Sequence, residues 1–443
     1  MLMFKMIMSS IGSRHRLIAN TSKENWRYKM VKETYCIKSK ETELSITNNS
    51  ISAIKKSDTS KTGLRLYDGS YIGIAGAIGA YDENQLEARA KQMLGFQIPY
   101  SCEPAKDIKR EVDLTDSFSL TDTDFMMISE ELLAMLSSGF PSFSFGHKIT
   151  YEESEVSLRN ELGADLLCRD KYVQVALYIK HKESKNLMDS FGASLSRGYN
   201  LHDVFELVSE TCASFDERIP VPHERMPVVF LSNHSTVLSK LRSDLSGRVM
   251  GTGASLFTGK IGEKLFADHF SLNVERKLRE SYNCFFDAEG TMLPDDCIPL
   301  IENGILRSPF SSKKVAGEYG YFATGSAAGE YDSVPETSAV GISIKDSGKS
   351  IKELLGGRNA IYVVQASGGD FTPQGDFASP VQTAFVFDGE RLLGRLPQIS
   401  ISSNIYDMFG DGFIGVSKDG KSSLNPFKYL AMDMRIDTIG DWI

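Results

Sequence analysis

From Glu33 to Gly79 the chain alternates apolar and polar side chains, and the alternation breaks only at turn-forming residues. Such a period of two places one face of a strand in a core and the other toward water. "ELSITNNSISAI" (43–54) alternates around Asn48-Asn49, and "GLRLYDGSYIGIAGA" (63–77) around Asp68-Gly69, a strong hairpin signal. An antiparallel meander is therefore expected. Asp82 then caps a predicted helix over "ENQLEARAKQML", with Gln85 placed for a capping box. "DFMMISEELLAMLSS" predicts a second helix that stops at Gly139 and Pro141. Four further strands are read from "SFSFGHKIT", "EVSLRNE", "ADLLCRD" and "KYVQVALYIKHK". A helix carrying Val204, Phe205, Leu207 and Val208 follows.

The second half has a different texture. A glycine-rich stretch, "DLSGRVMGTGASLFTGKIGEKL", leads into the short strands expected at "CFFDAEG", "IPLIENGIL", "AIYVVQASGGDF", "VQTAFVFDGERLL" and "PQISISS". No fixed-period repeat is present. The resulting expectation is an α+β protein. An N-terminal domain of antiparallel sheet plus helices covers 30–216, a polar linker covers 217–226, and a β-rich domain covers 227–443. Residues 1–29 read as a tail or a mis-assigned start, with Met30 as the later candidate.

Composition narrows the class. The 443 residues are 41% hydrophobic and 24% charged, as expected of a soluble globular protein with a sizeable core. The formal charge of -9, from 58 acidic and 49 basic residues, argues against a nucleic-acid binder, which needs a basic face. Cys36, Cys102, Cys168, Cys212, Cys284 and Cys297 form no CxxC and read as reduced thiols of a cytoplasmic protein. No apolar run reaches the roughly 20 residues that span a bilayer.

Several stretches imitate catalytic motifs. "VPHERMPVVF" opens like the HExxH of zinc proteases, but Pro227 stands four residues after His223 and would break the ligand-bearing helix. "GTGASLFTGK" has five residues between Gly253 and Gly259 where a phosphate loop has four, and Ile261 follows Lys260. No two of the seven His lie three to five residues apart. Ser232, His234 and Asp244 could be imagined as a triad, but no GxSxG elbow accompanies them. Cys212 and Cys284 read as buried thiols. These residues alone define no catalytic constellation and no metal site.

A longer series is more specific. "FFDAEGTMLPDDCIPLIENGIL", "YFATGSAAG" and "QASGGDFTPQGDFASPVQTAFVFDGERLLGRLPQISISSNIYDMF" follow one another, after "ITNNSISAIKKSDTSKTGLRLYDGSYIGIAGAIGAYDENQLEARAKQM" in the first half. From about Glu33 to Ile436 the chain resembles the TldD/PmbA family, long labelled modulators of DNA gyrase. The resemblance implies one of two subunit types. The TldD type carries HExxxH on a helix and a Cys near the C-terminus, which hold zinc for peptide hydrolysis; the TldE (PmbA) type lacks both. The matching helix here, "TVLSKLRSDLSGRVMGTGAS", contains no His, and "GVSKDGKSSLNPFKYLAMDMRI" contains no Cys.

The resemblance therefore implies a metallopeptidase-related, non-catalytic TldE-like subunit with no cofactor of its own. Zinc is expected only in a TldD-like partner. Partners implied are that chain or a second copy, and extended or unfolded peptides held by a sheet edge. The family signatures make Thr324, Gly325, Gly368, Gly369, Asp370, Phe371, Asp376 and Phe377 the candidate peptide-binding residues. Their ordinary roles would be turns, core and turn caps. Ala327, Ala328 and Gly329 stand where the family often has basic or Asn residues, and the segment after Phe409 diverges. The alternatives are a stand-alone homodimeric scaffold or a peptidase using other residues.

Overall fold

The computed structural model describes residues 30–366, 368–420 and 427–442; the stretch read as a tail or mis-assigned start, 1–29, lies outside them. The N-terminal sheet contains β1 (Val31–Thr47), β2 (Ser50–Asp68), β3 (Tyr71–Ile78), β4 (Ile98–Pro99), β5 (Lys109–Asp113), β6 (Phe143–Asn160), β7 (Asp165–His181) and β8 (Ser190–Ser196). Its order is β4-β3-β2-β1-β6-β7-β5, with β8 also on β7. The Asn48-Asn49 turn closes β1 on β2, and both residues adopt positive φ, which Asn tolerates better than other side chains. Helix α1 (Glu83–Leu94) starts where Asp82 accepts the Gln85 N–H at 3.0 Å. Helix α2 (Asp122–Gly139) starts at a full capping box between Thr121 and Asp124, and α3 (Leu201–Ala213) is capped by Asn200.

Two expectations change here. The four strands read between 142 and 182 are two long ones, β6 and β7. The charged run Glu152–Glu155 is the half-buried middle of β6, and Glu155 is paired across the sheet with Lys38 at 2.9 Å and Arg169 at 2.7 Å. "CFFDAEG" is a buried loop rather than a strand, its one β-bridge among the described residues joining Phe286 to Met292.

The second half supplies β9 (Arg225–Leu231), β10 (Leu272–Glu275), β11 (Cys297–Glu302), β12 (Ile305–Leu306), β13 (Ala327–Ala328), β14 (Glu336–Thr337) and β15 (Ile342–Ile344). It continues with β16 (Ala360–Ala366), β17 (Asp370–Phe371), β18 (Asp376–Phe387), β19 (Leu392–Arg395), β20 (Ile399–Asn404), β21 (Phe413–Gly420) and β22 (Lys428–Thr438). Strands β16, β9, β22, β20 and β18 close into a ring, because β16 pairs with both β9 and β18. Pro227 sits in β9 where only β22 pairs with it, since β16 joins at Val228, so the missing N–H interrupts no central ladder. A second, smaller sheet runs β12-β11-β10-β15. The segment read as a linker is held: Arg395 N–H donates to Glu217 O and Ile219 N–H to Arg395 O, and β9 already begins at Arg225.

One apolar core joins the two halves. Leu44, Phe125 and Leu132 pack in the same cluster as Val229, Phe385 and Ala431. A buried polar seam reinforces it. Arg65, fully buried, pairs with Glu33 at 3.3 Å and donates to Ala288 O, while Tyr100 donates to Glu289 at 2.5 Å. Removing one member of such a buried pair costs about 3–5 kcal/mol, because its partner is left charged without solvent.

Candidate functional site

After β9 the chain enters helix α4 (Ser235–Asp244), the segment in which a zinc-bearing relative would carry its ligands. Val237, Leu238 and Leu241 recur at helical spacing and are buried, which fixes the helix against the core. His234 is the cap, its Nδ1 accepting the Val237 N–H at 3.4 Å. Burial and the nearby Arg242 push the His234 imidazole down to about 4, so it is neutral at ordinary pH. Among the described residues, no three His, Cys, Asp or Glu side chains converge in a way that could hold a metal ion. The side chains α4 presents do not fit zinc, and no hydrolytic step is derived through it.

Beside α4 lies a cleft of ≈ 780 Å³, lined by α4, the end of β9 and the small sheet. Arg242 comes from α4, Ser232 and Asn233 from the end of β9, and Asn273 and Ser343 from β10 and β15. Strand β15 ends the sheet order, so its second edge has no strand partner among the described residues. Gly341 and Lys345 bond across to β10 through Glu275 N–H and Ser271 O, at 2.8 and 2.9 Å. Antiparallel alternation then points the backbone groups of Ile342 and Ile344 away from β10. Ile342, Ser343 and Ile344 all line the cleft. An extended chain laid beside them would find both donors and acceptors.

The residues singled out by sequence fall into two neighbourhoods. The Thr324 hydroxyl is fully buried and accepts the Ser311 N–H at 2.7 Å. Gly325 has φ +63, and its carbonyl accepts from Nε and Nη2 of the buried Arg276. Gly325 is thereby tied to the buried "CFFDAEG" loop, because Arg276 also donates to Phe286 O at 3.3 Å, whereas Thr324 holds the Ser311 segment. The other six form the β17–β18 hairpin, which packs on α4. Gly368 takes φ +85, and a side chain on Gly369 would strike Ser379. Phe371 stacks on the buried Phe377 at 4.7 Å, while Asp370 and Asp376 stay exposed. Asn404 donates to Asp376 at 2.9 Å.

The motif imitations dissolve in three dimensions. His223 and Glu224 lie in extended chain before β9. His234 and Asp244 sit at opposite ends of α4, about 15 Å apart at the helical rise per residue, too far for a triad. No helix opens at Lys260 as a phosphate loop requires; its amine instead donates to Tyr406 at 3.0 Å. Cys212 is buried in α3, and Cys284 lies in one apolar cluster with Cys168. Burial drives the Cys284 thiol well above its usual range, the opposite of what a nucleophile needs. The cleft itself was missed in the sequence, because its walls are short segments spread from residue 232 to residue 346.

Comparison with known proteins gives a consistent result. Residues 223–437 match the PmbA/TldA metallopeptidase C-terminal domain. An uncharacterized protein of Methanocaldococcus jannaschii is 21% identical over 393 residues, 85% of this chain and 89% of that relative. A metalloprotease of Methanothermobacter thermautotrophicus is 26% identical over 179 residues, covering 38% of this chain and 39% of the relative. Among solved structures, TldE from Thermococcus kodakarensis has a TM-score of 0.76 at 17% identity, over 93% of this chain and 97% of its own. A Thermotoga maritima protein proposed as a modulator of a DNA gyrase scores 0.75 at 15% identity, over 96% and 99%. At these identities the structural likeness carries the fold.

Proposed function

For a chain that belongs to the TldD/PmbA family, we propose the role of a TldE-like, non-catalytic subunit that holds extended peptides. A zinc-bearing, TldD-like chain would pair with it and supply the hydrolytic metal. The observation that carries this reading is a contrast within one site. Helix α4 carries no His or Cys, while the edge of β15 beside it, without a strand partner among the described residues, opens on a peptide-sized cleft. Backbone pairing along such an edge is tolerant of sequence. The β17–β18 hairpin would border the peptide through Gly368, Gly369, Asp370, Phe371 and Asp376, on the base of Phe377. Gly325 would act indirectly, by sharing Arg276 with the "CFFDAEG" loop, and Thr324 by holding the Ser311 segment. We place the chain in the cytoplasm, as a dimer with its partner or with itself, and propose no nucleic-acid contact. Six cysteines without a disulfide and the acidic balance support those choices.

The test is reconstitution. The chain would be assayed on an unfolded polypeptide alone, and again co-expressed with an HExxxH-bearing TldD-type chain. Cleavage only in the mixture, with a stable complex on sizing, is expected. Cleavage by the pure chain would overturn the non-catalytic reading, and failure to pair with a zinc-bearing chain would favour a stand-alone scaffold.

A further inference from the structure

Among the described residues, the cleft contains a cation with no ion pair, Arg242. Arg242 follows Leu238 by one helical turn on α4, and its head group reaches the cleft wall. Its Nε is sealed from solvent and meets no acceptor among the described residues. The Ser343 hydroxyl on β15 lines the same cleft and is likewise sealed and unpartnered. Glu275, Lys277, Glu280 and Lys345 line the cleft as well, and its remaining charges besides Arg242 are engaged. Asp346 holds Lys428 at 2.5 Å, and Glu302 holds Arg307 at 2.9 Å. Arg242 is half-buried, and that partial desolvation holds its guanidinium below the usual range.

We propose that Arg242 and Ser343 form a receptor for a carboxylate carried by the bound peptide, either its C-terminus or an acidic side chain. This rests on the peptide-holding reading above. A planar guanidinium matches a carboxylate through two parallel hydrogen bonds. A doubly charged phosphate fits less well, because apart from Arg242 the cleft is lined by Lys277, Lys345 and Lys428 against Glu275, Glu280, Glu302 and Asp346, an excess of acids that opposes a second negative charge. The receptor lies in the cleft that the free edge of β15 opens on, so backbone pairing and carboxylate capture would act on one extended chain.

The test uses one uncharged, fluorescein-labelled octapeptide in three forms: free acid, amide, and amide with one internal Glu. Binding is followed by anisotropy on the full chain and on Arg242→Gln, Arg242→Lys and Ser343→Ala, with thermal melts as fold controls. At least one carboxylate form is expected to bind roughly tenfold or more tightly than the plain amide. Preference for the free acid assigns the C-terminus, and preference for the Glu amide assigns a side chain. Arg242→Gln should erase the preference, and Arg242→Lys should keep part of it. Equal binding of all three forms, or a full preference in a folded Arg242→Gln protein, would overturn the receptor and leave peptide holding intact. No binding of any form would overturn both.

Discussion

Tyr100, from the N-terminal half, donates its hydroxyl to Glu289 of the C-terminal half at 2.5 Å, and both residues are buried. The same carboxylate accepts the Lys313 N–H at 2.6 Å. Burial, with the neighbouring Asp287, pushes Glu289 up to about 7. The folded state therefore holds a proton that the unfolded chain releases near 4.5. The stability this adds is full below about 4.5 and is lost as the pH rises through 7. Glu289→Gln should remove up to about 3 kcal/mol of pH dependence in that window, read from urea midpoints at pH 4.5 to 8.

His234 has the opposite sign. Its folded value of about 4 lies below the ordinary 6.5, so the unfolded chain takes up the proton first. Its contribution is full above 6.5 and is lost as the pH falls toward 4. His234→Asn keeps a good helix cap and removes the titration. The variant should lose about 2 kcal/mol of acid sensitivity, and an NMR titration of the native ring should show no midpoint between pH 5.5 and 8.

Arg276 and Thr324 are expected to matter for stability. Arg276→Met would strand the carbonyls of Gly325 and Phe286 in a buried loop, at a cost of about 3 kcal/mol or more. Thr324→Val would leave the Ser311 N–H unmet, at about 1–3 kcal/mol, and Thr324→Ser should recover most of the loss. Denaturant unfolding with unchanged m-values checks both.

Gly341 and Gly348 form a matched pair, with φ +72 and +73. A side chain on Gly341 would meet Glu275 O at 2.4 Å, whereas Gly348 faces open space. Gly348→Ala should cost only the left-handed strain, about 1–2 kcal/mol. Gly341→Ala should cost more and shift β15, weakening peptide binding as well as stability. Comparing the two by urea unfolding and by peptide anisotropy separates strain from steric displacement.

Much of the fold was legible because local signals agreed with it. The Asn48-Asn49 turn, the Asp82 cap and the Asn303-Gly304 turn between β11 and β12 each follow from residue chemistry at one place. The continuity of β6 and β7 was not legible, because charged residues within them, Glu155 and Arg169, find their partners on neighbouring strands. That α4 contains no His or Cys could be read from its letters. The cleft could not, since Arg242, Asn273 and Ser343 meet only through tertiary packing.

The most direct test of the zinc-free reading is the zinc content of the purified chain after mild dialysis, measured by elemental mass spectrometry. The expected result is well below one zinc per chain, with the metal appearing only when a TldD-like partner is bound. A stoichiometry near one in the isolated chain would contradict the reading, and the chain would then have to be assayed as a peptidase in its own right.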